Sequence, residues 1–363
     1  FPGAAGRFTL PDDMGAAMRF LIPMACACML SACMEAVTID EAGPVAAVTM
    51  ETDTSGVFTL ARLDDLPAAL DRVEGARVLI RIAPGVHELS RPLNLPSRTS
   101  LAGAGQGVTV IKAGSAMAAM IVSGAPELGT EAVSVSGLTL DCDGRAGEGA
   151  SLIRVAGLSL SRIMATNCLQ TGLRVSGRGV PTRGATLSDI TVTRNRGDGL
   201  MVLWASRNVQ YTNIFAYANG GTGVIFDHSE GAAANIIADQ NGGDGIFLRN
   251  LFAFSATNLT ATRNGRNGVL ARGFVASTGQ GWVAMGNSLS APGRFDEIRF
   301  TAEDDLSYGV TRDSALANVI AGGYDGGTGP ATAGRGLAIE PGVGSLGISN
   351  LVTLALAEPP ATN

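Results

Sequence analysis

Between residues 189 and 275 the chain alternates apolar and polar positions in bursts of four or five residues, and the bursts recur every 22 to 24 residues. Leu200 and Val202, Val224 and Phe226, Ile246 and Leu248, and Val269 and Ala271 hold the first and third positions of successive bursts. Alternation of this kind predicts short strands with those residues facing inward and the second and fourth positions facing out. A glycine precedes each burst, and an asparagine stands four residues before each glycine, at Asn195, Asn219, Asn241 and Asn264, with spacings of 24, 22 and 23. A second polar column lies six residues before the first, at Asp189, Asn213, Asn235 and Asn258.

A fixed period of this length marks a solenoid, in which each repeat buries its apolar face against the next. Stacked coils sit about 4.8 Å apart, so like residues form ladders, with asparagine bonding backbone and its own copy and glycine supplying positive φ. The expected fold is all-β, a right-handed parallel β-helix over residues 53–355. An earlier coil fits through Cys168, Thr171, Gly172, Leu173 and Val175. An amphipathic helix at Leu63 to Val73, acidic at its start, is expected to cap the open end ahead of the strand Val78–Ile82. Beyond Gly273 the period blurs, which predicts an insertion over 274–295, with further coils at Tyr308-Gly309-Val310 and Asn318-Val319-Ile320 and a disordered tail at 356–363.

Of 363 residues 46% are hydrophobic, 16% charged and 49 are glycine, the balance of an ordered chain. A net charge of −6 without a polybasic run argues against nucleic acid as a partner. Residues 1–17 carry no targeting pattern and read as a non-native upstream extension. The apolar run from Phe20 to Leu30, after Arg19, is too short to span a bilayer and reads as a signal peptide over 18–32. Leu30-Ser31-Ala32-Cys33 resembles the lipobox of bacterial lipoproteins, which implies lipidation of Cys33, a tether over 33–52 and attachment to the cell envelope through a lipid anchor; an ordinary signal peptide or a buried helix is the plainer alternative. Cys26 and Cys28 would leave with the signal. Cys142 and Cys168 are 26 residues apart, close to one coil, which leaves a disulfide and two buried thiols both open.

Leu101-Ala102-Gly103-Ala104-Gly105, Thr109-Val110-Ile111-Lys112 and Leu138-Thr139-Leu140-Asp141 resemble the catalytic modules of bacterial mannuronan C5-epimerases, and Ile82-Ala83-Pro84-Gly85-Val86-His87 is similar to the first strand of pectate-lyase-like β-helices. The resemblance runs from about residue 57 to 275. It implies an alginate lyase or epimerase chemistry, in which a base removes the carbon-5 proton of a uronate while a cation neutralises its carboxylate. The family's Tyr-Gly-Phe-Asp-Pro-His-Glu run, carried over in register, falls on Thr171-Gly172-Leu173-Arg174-Val175-Ser176, which lacks the tyrosine, aspartate and histidine. Phe226-Asp227-His228-Ser229-Glu230 resembles the run two coils later, without its proline. Arg266, two residues before Gly268, matches the family's catalytic arginine.

Stacking points to a site by a separate route. The fourth positions read Ser176, Leu203, Asp227, Arg249 and Arg272, and the fifth read Gly177, Trp204, His228, Asn250 and Gly273. Arginine pairs bidentately with carboxylates and an indole stacks on sugar rings, so this column suits an acidic polysaccharide such as alginate. The sequence reading assigns catalysis to His228, Asp227 and Arg266, and substrate binding to Trp204, Arg249, Asn250 and Arg272, in a monomer with no cofactor. His228 is the proton carrier of choice, while His87 is expected to be structural. Asp141 and Asp143 are read as turn formers rather than metal ligands. The blander alternatives are a ladder salt bridge at Asp227 and Arg249, and a noncatalytic β-helix that displays a glycan- or protein-binding surface. Metal delivery is a third reading, disfavoured by the scarcity of histidine.

Overall fold

The computed structural model describes residues 48–52, 56–72, 75–124, 129–177, 182–204, 206–292, 294–301, 314–322, 337–340 and 346–354. The proposed extension, signal peptide and Cys33, together with Tyr308 and the tail, lie outside the described residues.

Leu173–Ser176, Leu200–Leu203, Val224–Asp227, Ile246–Phe252 and Val269–Val275 stack in parallel and in chain order in one sheet. Ser159–Thr166, Thr186–Thr193, Ser206–Tyr217, Ser229–Asp239 and Phe254–Thr262 stack likewise in a second. Val224 pairs with Leu200 behind it and Ile246 ahead, so the pairing register is the sequence period. Each coil gives one strand to each sheet, and the first and third positions of the short strands are buried against Ile190, Val192, Ile214, Ala216, Ile236 and Ala238. Tyr211 stacks on Phe226 at 4.5 Å between ring centres in the same core.

The asparagine ladder is buried and continuous. Asn195 Nδ2 donates to Asn219 Oδ1 (2.9 Å), Asn219 to Asn241 (2.9 Å), Asn241 to Asn264 (3.0 Å) and Asn264 to Asn287 (2.8 Å). Each Nδ2 also donates back to a carbonyl of the preceding coil's long strand, such as Asn241 to Ala216 at 3.1 Å. The outer ladder from Asp189 through Asn258 is exposed, and its residues take left-handed φ of 53 to 58°. Asparagine and aspartate tolerate that conformation better than other side chains do.

The glycines at the head of each short strand serve a different purpose from the one expected. Gly199, Gly223, Gly245 and Gly268 do not have positive φ. They leave room: a Cβ on Gly245 would stand 2.5 Å from Asn264 Nδ2 and 2.7 Å from the Gly268 carbonyl oxygen. The ladder asparagine of one coil therefore dictates the glycine of the coil before it.

Three boundaries also move. Val48–Thr52, inside the stretch read as a tether, is a strand that pairs antiparallel with Gly56–Leu60 and Val78–Ile82, burying Val48 and Met50 over the first coil. The capping helix is shorter than expected, a 3-10 turn Leu63–Asp65 followed by Leu66–Leu70, because Pro67 allows a helix to start only at its own first turn. The insertion shrinks: Thr278–Gln280 and Val283–Met285 pair in register with Phe254–Thr262, and Asn287 supplies a fifth ladder asparagine. Within that stretch the extra chain lies between Asn287 and Glu297, after which Ile298 resumes pairing with Val269.

Cys142 and Cys168 form a disulfide between neighbouring coils, with Cys168 standing where later coils place asparagine. A covalent rung restricts the unfolded chain, so reduction without alkylation is expected to lower stability by about 2 kcal/mol. Urea unfolding with and without reductant, monitored by circular dichroism, checks this; coincident curves would contradict it.

Candidate functional site

In four successive coils the fifth position is a corner with left-handed φ, at Trp204 (52°), His228 (52°), Asn250 (49°) and Gly273 (67°). This corner turns the fifth-position side chains outward beside the fourth-position column. Register places Asp227 beside Arg249, Arg249 beside Arg272, and Arg272 beside Thr301. The stacking read from the sequence is therefore the stacking of the structure.

The contacts sort these residues further. Asp227 is buried (4% exposed), and its Oδ1 lies 2.6 Å from His228 Nδ1. Its Oδ2 is 3.8 Å from an Arg249 terminal nitrogen. A carboxylate can only accept, so Nδ1 of His228 carries the proton and Nε2 presents a lone pair when the ring is neutral. Asn250 Nδ2 lies 3.5 Å from that Nε2, while Asn250 Oδ1 is buried and has no hydrogen-bond partner. Trp204, 53% exposed, stacks on the imidazole with ring centres 4.4 Å apart and planes 16° from parallel. One indole face is thus used by His228 and the ring remains half open to solvent.

Arg266 does not join this group. It precedes the strand whose far end carries Arg272, and its guanidinium lies over the Phe295 ring, 5.1 Å from the centre. Glu230 of the family-like run also leaves, since it lies beyond the corner and faces Arg207 at 3.7 Å on the adjacent sheet. His87 is buried, with Nε2 2.9 Å from the Ala83 carbonyl oxygen, as a structural histidine would be. Asp141 Oδ1 accepts from the Asp143 backbone N–H (3.0 Å) and from Asn167 (2.9 Å), closing a turn. Among the described residues no three acidic, histidine or cysteine side chains gather as a metal site would require.

Sequence reasoning missed a second polar column on this sheet. The residues just before the coil glycines read Glu148, Thr171, Asp198, Thr222, Asp244 and Asn267, followed by Asp296 before Glu297, so acids and neutral residues alternate. Thr222 N–H donates to Asp198 Oδ1 at 2.7 Å, and Asn267 Nδ2 to Asp244 Oδ1 at 2.7 Å. Burial raises the Asp198 carboxyl above the ordinary carboxylate range, opposed by the Thr222 bond and by Arg174. Alternation keeps like charges two coils apart, and the acid before every second glycine was the available signal.

Residues 129–280 match the family described as right handed beta helix region. The chain is a right-handed parallel β-helix. Solved structures that share the fold include the A-module of a mannuronan C-5 epimerase from Azotobacter vinelandii, at 18% identity and a TM-score of 0.55 over 81% of this chain and 93% of that one. Tailspike protein 2 from a bacteriophage of Escherichia coli O157:H7 is 15% identical, with a TM-score of 0.59 over 78% of this β-helix and 40% of the tailspike. A periplasmic alginate epimerase is 12% identical, with a TM-score of 0.50 over 97% and 100%. No curated protein sequence matches the β-helix.

Proposed function

We propose that this β-helix binds an acidic polysaccharide of the uronate class across Trp204, His228, Arg249, Asn250 and Arg272, and acts on it by abstracting the carbon-5 proton. The observation that carries the reading is the Asp227–His228 pair, which occupies Nδ1 with the carboxylate, leaves Nε2 to face Asn250, and lies in the coil before two arginines stacked in one column. Two of the solved structures with this fold are named as epimerases of mannuronan and alginate, which supports the substrate class.

In this scheme a uronate carboxylate lies on Arg249 and Arg272, and a sugar ring lies on the open face of Trp204. His228 Nε2 takes the carbon-5 proton, and the electron pair left behind moves onto the carboxylate, where the arginines stabilise it. Asp227 holds the imidazole in the required tautomer and balances the imidazolium. Return of a proton to the opposite face gives the epimer; loss of the substituent at carbon 4 gives an unsaturated product. Lipid attachment at Cys33 would set this chemistry on the cell envelope, and loss of labelled-palmitate incorporation in Cys33→Ser would test that placement.

Polymannuronate incubated in heavy water, with carbon-5 exchange and unsaturated-product absorbance both followed, tests the activity. Turnover is expected in the wild type, and at least about a hundredfold less in His228→Gln. Trp282 is fully buried, so Trp204 fluorescence reports binding separately. Replacing both Arg249 and Arg272 by alanine is expected to weaken binding by about ten- to a hundredfold, the worth of one or two charge-assisted hydrogen bonds. No exchange, no absorbance change and unaltered affinity in His228→Ala would favour the second reading, a noncatalytic glycan-binding surface. The lack of the epimerase run at Thr171–Ser176 is what keeps that reading in view.

A further inference from the structure

The outer face of the site sheet carries a feature that proton abstraction does not use. Its second-position column is Met201, Ile225, Phe247 and Leu270, in register on four successive coils and bracketed by Arg174 and Arg299. All four are part-exposed, as is Leu203 at the head of the fourth-position column. With the indole of Trp204 they make an apolar strip that runs along the helix axis beside Arg249 and Arg272.

Residues two apart on one face of a strand stand about 6 to 7 Å apart. A polymer whose carboxylates rest on the arginine pair therefore lays its near edge over the strip. Bare sugar hydroxyls placed there would shed water against side chains that offer neither donor nor acceptor. The thioether of Met201 and the branched chains of Ile225 and Leu270 match small alkyl groups, with Phe247 the one ring among them, whereas the flat face of a sugar is matched by an aromatic ring such as Trp204. An apolar strip of this extent beside paired cations calls for a ligand that is both anionic and acyl-bearing.

We propose that the ligand is an O-acylated polyuronate, with its carboxylates on Arg249 and Arg272 and its ester acyl groups on Met201, Ile225, Phe247 and Leu270. This rests on the acidic-polysaccharide reading above and narrows it. Charge complementarity fixes the occupant: a neutral acylated glycan leaves the arginines unused, and an unsubstituted polyuronate leaves the strip unused.

The test is calorimetric titration with partially O-acetylated polymannuronate, and with the same polymer after mild alkaline de-esterification. The wild type is expected to bind the acetylated polymer about fivefold or more tightly, since each buried methyl contributes a factor of about four. A triple variant, Ile225→Thr, Phe247→Gln and Leu270→Thr, alters only outward positions and is expected to bind both polymers equally, at the wild type's affinity for the de-esterified one. If the triple variant does not fold, Phe247→Gln alone is expected to lose at least half of the preference. Equal or weaker binding of the acetylated polymer, with de-esterified binding intact, overturns the acyl assignment and leaves the uronate reading standing. Binding of neither polymer overturns both. A preference that survives in the folded variants removes the strip from the site, and a concentration-dependent dimer that the variants abolish assigns the strip to a second copy instead.

Discussion

Replacing Asn241 by leucine is expected to destabilise the protein by about 2 to 6 kcal/mol. The two side chains have nearly the same shape, so the loss comes from hydrogen bonding rather than volume. Asn241 Oδ1 accepts from both the backbone N–H (3.1 Å) and the Nδ2 (2.9 Å) of Asn219, and its own Nδ2 donates to Ala216 O and Asn264 Oδ1. Leucine strands two buried donors of Asn219, each costing about 1 to 3 kcal/mol. Water has no path to them, because Asn219 and Asn241 are each 2% exposed. Asn235→Gly, in the exposed ladder, is the control: its partners turn to solvent and glycine accepts the left-handed φ, so a loss below about 1 kcal/mol is expected. Urea unfolding of the three proteins measures both values, and similar losses at the two sites would contradict the account.

The ladder's far end gives a second large effect, of opposite sign. Glu297 is fully buried, and its carboxylate accepts from Asn287 Nδ2 and the Asn287 backbone N–H. Burial pushes its carboxyl from 4.5 up to about 7; Asp296 adds to the rise, and the bonds from Asn287 and Gly286 oppose it. Between these two values the native protein holds a proton that the unfolded chain has released. Stability must therefore fall as pH rises from about 4.5 to about 7, by roughly 3 kcal/mol in all, and level off above. Glu297→Gln keeps an acceptor for Asn287 and never ionises. Its stability relative to wild type is expected to be near zero at pH 4 and to grow to roughly 3 kcal/mol in its favour at pH 8. Denaturant melts at both pH values decide it; a variant less stable than wild type at pH 8 would show that the charge is welcome there.

The parts of this fold that were legible from the sequence are those that repeat without interruption. Asn195 through Asn264, the glycines after them and the inward pairs such as Val224 and Phe226 declared both the register and the column that holds Asp227, Arg249 and Arg272. The fifth ladder residue, Asn287, was hidden because the extra chain before Glu297 breaks the asparagine-to-glycine spacing that flagged the others. Single-residue features were also invisible. The Trp204–His228 stack depends on both residues taking left-handed φ at one corner, which neither tryptophan nor histidine announces. The short cap follows from Pro67, whose effect on an otherwise amphipathic stretch was outweighed by the apolar pattern. The motif places Arg266 only in sequence; in the fold it lies over Phe295, before the strand that carries Arg272 and away from Asp227 and His228.

Every side-chain-to-side-chain bond of the buried ladder runs in one direction along the axis, from Asn195 towards Glu297. Every internal rung is chemically the same as the next, so nothing inside the stack records how many rungs there are. The count is written only at its two terminators: Cys168, whose backbone N–H feeds the first asparagine and whose sulfur is already committed to Cys142, and Glu297, whose carboxyl accepts from Asn287 and carries no amide to pass the pattern on. A gene that gained or lost one whole coil between those stops would encode a protein of the same cross-section and a different reach. Loss of a single residue within a coil has no such neutral outcome, since it shifts the buried and exposed ladders out of phase at once.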